Sequence, residues 1–319
     1  MAFSGKPARL VLTASVARRY YLDGKSQVEI AHELGLSRFQ VARLLDAART
    51  SGLVRIEIAD PAAIDLELSG RLQDTYGFRH AVVVDTPEGD STSLRQDLGK
   101  AAAELLTEIV TSNDTLGLAW ARSVSAMTNA LTQLPAVPVV QLTGALVRQD
   151  MADNSVDLVR QAARVSGGPA YFFYAPTIVP DPATARALRK QPEVARAFAR
   201  FSAVTKAVVG IGMWTKAEST VYEATDEKAR RELQRRGVCG EICGVLVDAD
   251  GNPIESELTE RMIGVSAGEL RKIPEVIAIA YRATRTPAVR AAIRGGLIDS
   301  IVTHRSLAAS LLANQQTEP

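Results

Sequence analysis

Hydrophobic and polar positions change period sharply near residue 80, and that change predicts two parts of different architecture. Along 7–22 the apolar residues Leu10, Val11, Ala14, Ala17 and Tyr21 recur at helical spacing. Asp23-Gly24-Lys25 then interrupts the pattern. Ser26 followed by Glu29 has the spacing of a capping box and predicts a helix over 27–34, closed by Gly35. Ser37 predicts the cap of a third helix over 38–51, and 53–58 (LVRIEI) alternates like a strand placed as a wing. In the third helix Val41, Leu44, Leu45 and Ala48 share one face and must be core. Phe39, Gln40 and Arg43 fall opposite, with Arg38 near the N-terminus.

Beyond Pro61 a connecting helix over 62–76 leads into regular alternation. The pattern predicts strands over 80–85, 115–119, 137–142, 170–174, 203–210, 241–247, 275–280 and 299–303. Helical patterns over 91–110, 123–131, 155–165, 225–235, 287–294 and 306–313 lie between most of them. The fold class expected is therefore α/β: a doubly wound, mostly parallel sheet behind a winged helix-turn-helix. The expected domains are 1–58, a linker helix over 59–76, and 77–319.

Charge changes this picture only through its distribution. Residues 1–58 carry nine Lys/Arg and five Asp/Glu, a net +4, whereas the whole chain of 319 residues is only +1. A basic head on a slightly acidic body suits a phosphate-binding module joined to something else. Composition is ordinary for a globular protein, at 46% hydrophobic and 23% charged. No apolar run approaches the roughly 18 residues of a membrane helix, and the N-terminus has no secretory signal pattern. Two cysteines cannot build a disulfide framework, so a reducing cytoplasm is expected.

Candidate chemistry follows from placement. Arg38, Gln40 and Arg43 at the start of an exposed helix have the reach and donor groups to read base edges in a major groove of double-stranded DNA, and Phe39 could meet a thymine methyl there. Ser37 and the helix N-terminus would face phosphates. The alternative for this segment is an ordinary helical hairpin with solvated charges. A single such unit binds DNA weakly, so a homo-oligomer, dimer or tetramer, is expected. In a doubly wound sheet ligands bind beyond the carboxyl ends of the strands. Four strand-to-helix turns there stand out: 116–123 (LGLAWARS), 142–145 (LTGA), 209–212 (VGIG) and 280–285 (AYRATR). Their candidates include Arg122 and Ser123 at a helix start, Thr143 with Gly144, Gly210 with Gly212, and the guanidinium groups of Arg282 and Arg285. Cys239 and Cys243 have neither redox nor zinc spacing, and Arg230-Arg231 reads as a solvated face. No catalytic triad, P-loop, metal cluster or cofactor motif is visible.

The segments SQVEIAHELGLSRFQVARLLDAARTSGLVRIEI, LGLAWARSV, VVQLTGALV, FFYAP, KAVVGIG, VCGEICGVLVDADG, RMIGVS and AIRGGLIDSIVTH, in this order, resemble the SorC family of sugar-responsive bacterial transcriptional regulators. The resemblance spans nearly the whole chain. It implies an effector domain like glucosamine-6-phosphate deaminase and ribose-5-phosphate isomerase, a tetrameric assembly, and a sugar or sugar-phosphate ligand. It also implies that Gly117, Trp120, Arg122 and Ser123 form a first ligand loop. Thr143, Gly144, Gly210 and Gly212 would surround the sugar, with Asp248 near the pocket. The chain departs from the family pattern at Ala119 and Ala121, at Tyr281, Arg282 and Arg285, and at His304-Arg305, so an unphosphorylated sugar or polyol is equally open. The other function considered is a sugar-phosphate isomerase that uses His304 or Asp248 and carries a helical oligomerisation module.

Overall fold

The computed structural model describes residues 7–54, 64–86, 91–146 and 154–313, in two compact units, Met1–Asp60 and Pro61–Pro319. In the first unit α1 (Pro7–Tyr21), α2 (Gln27–Leu34) and α3 (Arg38–Thr50) enclose a small core of Val16, Ile30, Val41, Leu45 and Ala48. Both short helices begin with reciprocal caps. Ser26 accepts from the Glu29 N–H while the Glu29 carboxylate accepts from the Ser26 N–H, and Ser37 and Gln40 do the same for α3. Gly35 closes α2 at φ 63°, a conformation glycine adopts without steric cost. Leu53 and Val54 pack against the helices and form no strand, and the rest of the expected wing, 55–58, lies outside the described residues.

The second unit opens with α4 (Leu66–Tyr76), then β1 (His80–Val84), α5 (Ser91–Ile109), β2 (Leu116–Leu118), α6 (Arg122–Ala130), β3 (Val139–Gln141) and α7 (Ser155–Ser166). It continues through β4 (Ala170–Tyr171), α8 (Pro182–Arg189), α9 (Pro192–Phe198), β5 (Lys206–Met213), α10 (Thr220–Ala224) and α11 (Glu227–Arg235). The hairpin β6 (Gly240–Ile242) and β7 (Val245–Val247) follows, then α12 (Glu257–Glu260), α13 (Ala267–Leu270), β8 (Glu275–Ile279), α14 (Thr286–Arg294), β9 (Ser300–His304) and α15 (Arg305–Ala313).

The main sheet runs β1-β9-β8-β5-β2-β3-β4, with every neighbour parallel. Strand residues alternate between two cores. Ala207, Val209 and Ala278 face Leu72, Val289 and Leu307 of α4, α14 and α15. Leu116, Leu118, Val208, Ile277 and Ile279 face Leu98, Met127 and Val159 of α5, α6 and α7. A sheet buried on both faces needs such apolar runs.

Three details differ from the sequence reading. The strand expected over 241–247 is a hairpin: Cys243 and Gly244 both have positive φ (55° and 88°) and form a two-residue turn between Ile242 and Val245. β6 then pairs antiparallel with the far end of β5. The strand expected over 170–174 stops at Tyr171, because the buried Gln141 side chain takes the Phe173 N–H at 3.1 Å. Arg230 is no solvated charge, since it donates to the Tyr222 and Glu223 carbonyls and lies 4.7 Å from the Tyr222 ring centroid.

At the amino ends of the strands, the buried Glu275 carboxylate accepts from Ser300 Oγ (2.7 Å) and Lys206 Nζ (3.0 Å) and meets His80 Nδ1 at 2.7 Å. Burial opposes its charge, yet these hydrogen bonds outweigh that and lower its pKa. A carboxylate whose pKa is depressed by folding stabilises above its unfolded pKa, and that contribution is lost as pH falls through the folded value. Melting temperature should therefore drop as pH is lowered below about 4. Glu275→Gln should flatten this acid limb and cost about 1–3 kcal/mol at neutral pH by weakening its hydrogen bonds to Ser300, Lys206 and His80, both readable by thermal melts across pH.

Candidate functional site

In the first unit the structure turns the expected face of α3 outward. Arg38, Phe39, Gln40 and Arg43 are all exposed, Phe39 by 78%, while Val41, Leu44, Leu45 and Ala48 are buried. Gln40 also has a local role. Its side-chain carbonyl accepts from the Ser37 N–H at 2.7 Å, so this amide caps α3. Ser37 Oγ is likewise occupied, accepting from the Gln40 N–H at 3.2 Å.

In the second unit a pocket opens where the strand order reverses, between β2 and β5, which is where a doubly wound sheet leaves a crevice. Its lining brings together most of the turns singled out above. Trp120, Arg122 and Ser123 come from the β2–α6 turn, Thr143 and Gly144 from the end of β3, Gly210 and Gly212 from β5, and Arg285 from the turn after β8. Hydrogen bonds tie these turns to one another. Thr143 Oγ1 accepts from the Trp120 N–H at 3.1 Å, and the buried Ser123 Oγ donates to the Ile279 carbonyl at 3.1 Å. Two glycines are required by close approach. A Cβ on Gly210 would stand 2.5 Å from the Ala121 Cβ, and one on Gly144 would stand 2.6 Å from the Pro176 carbonyl oxygen.

Three of the expected residues lie elsewhere. Gly117 sits inside β2, where a Cβ would strike Leu142 and Val204, so it serves core packing and does not line the pocket. Asp248 is also outside the pocket. Its carboxylate accepts from the Asp250 and Asn252 N–H groups at 3.0 and 2.9 Å and organises the turn after β7. Arg282, held at φ 71°, reaches the pocket only through Glu218, whose Oε1 accepts from its guanidinium at 2.9 Å. The proposed isomerase groups fare no better. His304 is buried, with Nε2 2.7 Å from Ser306 Oγ, and neither it nor Asp248 lines the pocket.

Three carboxylates that the sequence reading passed over do line it, Glu218, Glu223 and Glu241. Glu241, on β6, is 8% exposed. Its Oε1 accepts from Ser219 Oγ at 3.2 Å and its Oε2 from the Gly244 N–H at 3.2 Å. Burial dominates and raises its pKa, against these hydrogen bonds and the nearby Arg285. Glu218 accepts from Arg285 Nε at 2.7 Å, and Arg285 also donates to the Ile211 carbonyl at 3.0 Å with its guanidinium carbon 4.4 Å from the Tyr281 ring centroid. Burial opposes the charge on Glu218, but the two arginines prevail and lower its pKa. An acid inside the otherwise apolar run Val238–Val247 was the sequence signal for Glu241. Glu218, in an irregular loop, had none.

Such a pocket offers hydroxyl donors, carboxylate acceptors and closely approaching backbone. That is the inventory for holding a small polyhydroxylated molecule. Among the described residues no group of three or more His, Cys, Asp or Glu side chains could hold a metal ion, and no helix is long and apolar enough to cross a membrane.

A family model described as "Putative sugar-binding domain" matches residues 60–313. The transcriptional regulator LsrR of Klebsiella pneumoniae subsp. pneumoniae is 29% identical over 95% of this chain and 93% of its own length. The deoxyribonucleoside regulator of Bacillus subtilis is 26% identical over 94% of this chain and 97% of its own. The crystal structure of the full-length sorbitol operon regulator SorC from Klebsiella pneumoniae superposes with a TM-score of 0.80 at 24% identity, covering 97% of this chain and 100% of that one. The chain belongs to this sugar-binding-domain family, the SorC-type transcriptional regulators.

Proposed function

We propose that this chain is a DNA-binding transcriptional regulator of a carbohydrate or polyol operon, acting in the cytoplasm as a homo-oligomer and switched by a small sugar-like effector. The observation that carries the reading is the pairing, in one chain, of an outward basic and aromatic face on α3 with a hydroxyl-rich pocket at the sheet's switch point. The names of the relatives support it, since they include a transcriptional regulator, a deoxyribonucleoside regulator and a sorbitol operon regulator. Arg38 and Arg43 would contact base edges or phosphates, Phe39 would cover a thymine methyl, and the capped N-terminus of α3 would meet the backbone. Positions outside the pocket for His304 and Asp248 leave the isomerase reading without the groups it named.

Regulation requires the effector to bind two arrangements of the oligomer unequally, with a coupling of roughly 1–3 kcal/mol. The test is to select the chain's target from random duplexes, measure binding by fluorescence anisotropy, and repeat the titration with sugars and polyols that raise its melting temperature. A selected duplex whose affinity shifts by about fivefold or more with a stabilising compound is the expected result. Failure to enrich any duplex, or catalytic turnover of a stabilising compound, would count against the regulator.

A further inference from the structure

We propose that the pocket is built for a neutral polyhydroxylated ligand and against a phosphorylated one, with Glu218 as the residue that makes the choice. This inference rests on the effector-pocket reading above and sharpens it. The charged side chains on the wall, among the described residues, are Arg122 and Arg285 against Glu218, Glu223 and Glu241. Each guanidinium group on the wall is thus matched by a carboxylate, where a phosphate dianion would need cations in excess.

Geometry says more than the count. Arg285 is the cation that the turn after β8 delivers, and its side chain is only 10% exposed. Its Nε is held by Glu218 at 2.7 Å and its Nη1 by the Ile211 carbonyl at 3.0 Å, while the ring of Tyr281 lies along the guanidinium. The other oxygen of Glu218 takes Arg282 at 2.9 Å. One internal carboxylate thus bridges both guanidinium groups of that turn, as an incoming phosphate would have to do. Glu218 is itself buried to 13% exposure, so it cannot readily swing into solvent to make room. Across the pocket a phosphate would also confront Glu241, which Ser219 and the Gly244 N–H fix in place.

Hydroxyl groups fit the same wall without conflict. Each donates to a carboxylate oxygen and accepts from a hydroxyl or backbone N–H, and a neutral ligand brings no charge to desolvate.

The experiment is isothermal titration calorimetry on the full chain with matched pairs at fixed ionic strength. The probes are sorbitol and sorbitol 6-phosphate, ribose and ribose 5-phosphate, and 2-deoxyribose and its 5-phosphate. In any pair that binds, the neutral member should be the tighter by about tenfold or more, the scale on which misplaced like charges discriminate. A phosphate that binds as well as its neutral partner overturns the proposal and leaves the regulator reading standing. Silence from every member of the panel removes the effector pocket and the proposal with it. The second arm is E218Q, which keeps the side chain's shape. With an unchanged melting temperature and circular dichroism, it should gain affinity for the phosphates as Arg282 and Arg285 are released. A folded E218Q chain that rejects phosphates as strongly as the wild type takes the choice away from Glu218.

Discussion

Arg43→Ala should weaken binding of the selected duplex by about 1–3 kcal/mol, roughly 5–150-fold, and leave effector binding unchanged. Arg43 is exposed on α3, one and a half turns past the Ser37 cap, on the face opposite Val41, Leu44 and Leu45. Removing it cannot open a cavity, because none of the core of the first unit depends on it. The form of the loss tells which contact was made. A guanidinium bidentate to guanine would lose affinity and relax the sequence preference at one base pair. A phosphate contact would lose affinity evenly across sequences and lower the salt slope by about one. Gln40→Ala makes a useful contrast. Since the Gln40 side chain holds the Ser37 N–H, its removal should lower the melting temperature of the first unit, with a cost of about 0.5–2 kcal/mol. Anisotropy titrations at several salt concentrations, paired with thermal melts, separate the two variants. An Arg43→Ala chain that binds the duplex as tightly as the wild type would move the reading face elsewhere.

What the sequence made legible was whatever depends on local periodicity. The apolar stripe of α3, the Ser26 and Ser37 caps, and the alternation that builds the parallel sheet are one-dimensional signals, and the structure carries each of them. The crevice could be placed because it sits at the ends of strands, wherever those strands are ordered. Contacts between distant segments left no such trace. Glu218 acquires its role only because Arg282 and Arg285 arrive from a turn 64 and 67 residues away. Cys243 and Gly244 hide a hairpin turn inside a continuous β-type run, so the antiparallel arm that presents Glu241 to the pocket was read as one strand. Gly117 and Asp248 show the opposite case. Both sit in segments that resemble ligand loops, yet packing against Leu142 and Val204 explains the first, and a self-contained turn explains the second.

Gly210→Val is expected to abolish effector binding, by about a hundredfold or more, while the chain still folds and still binds its duplex. The glycine lies in β5 at the point where the β2–α6 turn crosses it, and its backbone forms part of the pocket floor. Even a single methyl there would fall 2.5 Å from the Ala121 Cβ, well inside van der Waals contact. Ala121 has little freedom to retreat, because it is the N-cap of α6 and its neighbours Trp120 and Ser123 are tied to Thr143 and to the Ile279 carbonyl. The turn must therefore shift as a unit, breaking the Trp120–Thr143 link and displacing the groups that face the ligand. Overpacking of this kind typically costs about 1–3 kcal/mol, which a domain with two extensive cores tolerates. A displacement on the order of 1 Å in a preorganised site is enough to account for the lost affinity. Calorimetry should show no effector heat, melts should show a modestly lowered transition, and anisotropy should show duplex binding that no longer responds to the effector. Retention of normal effector affinity by this variant would mean that the ligand sits somewhere other than the crevice between β2 and β5.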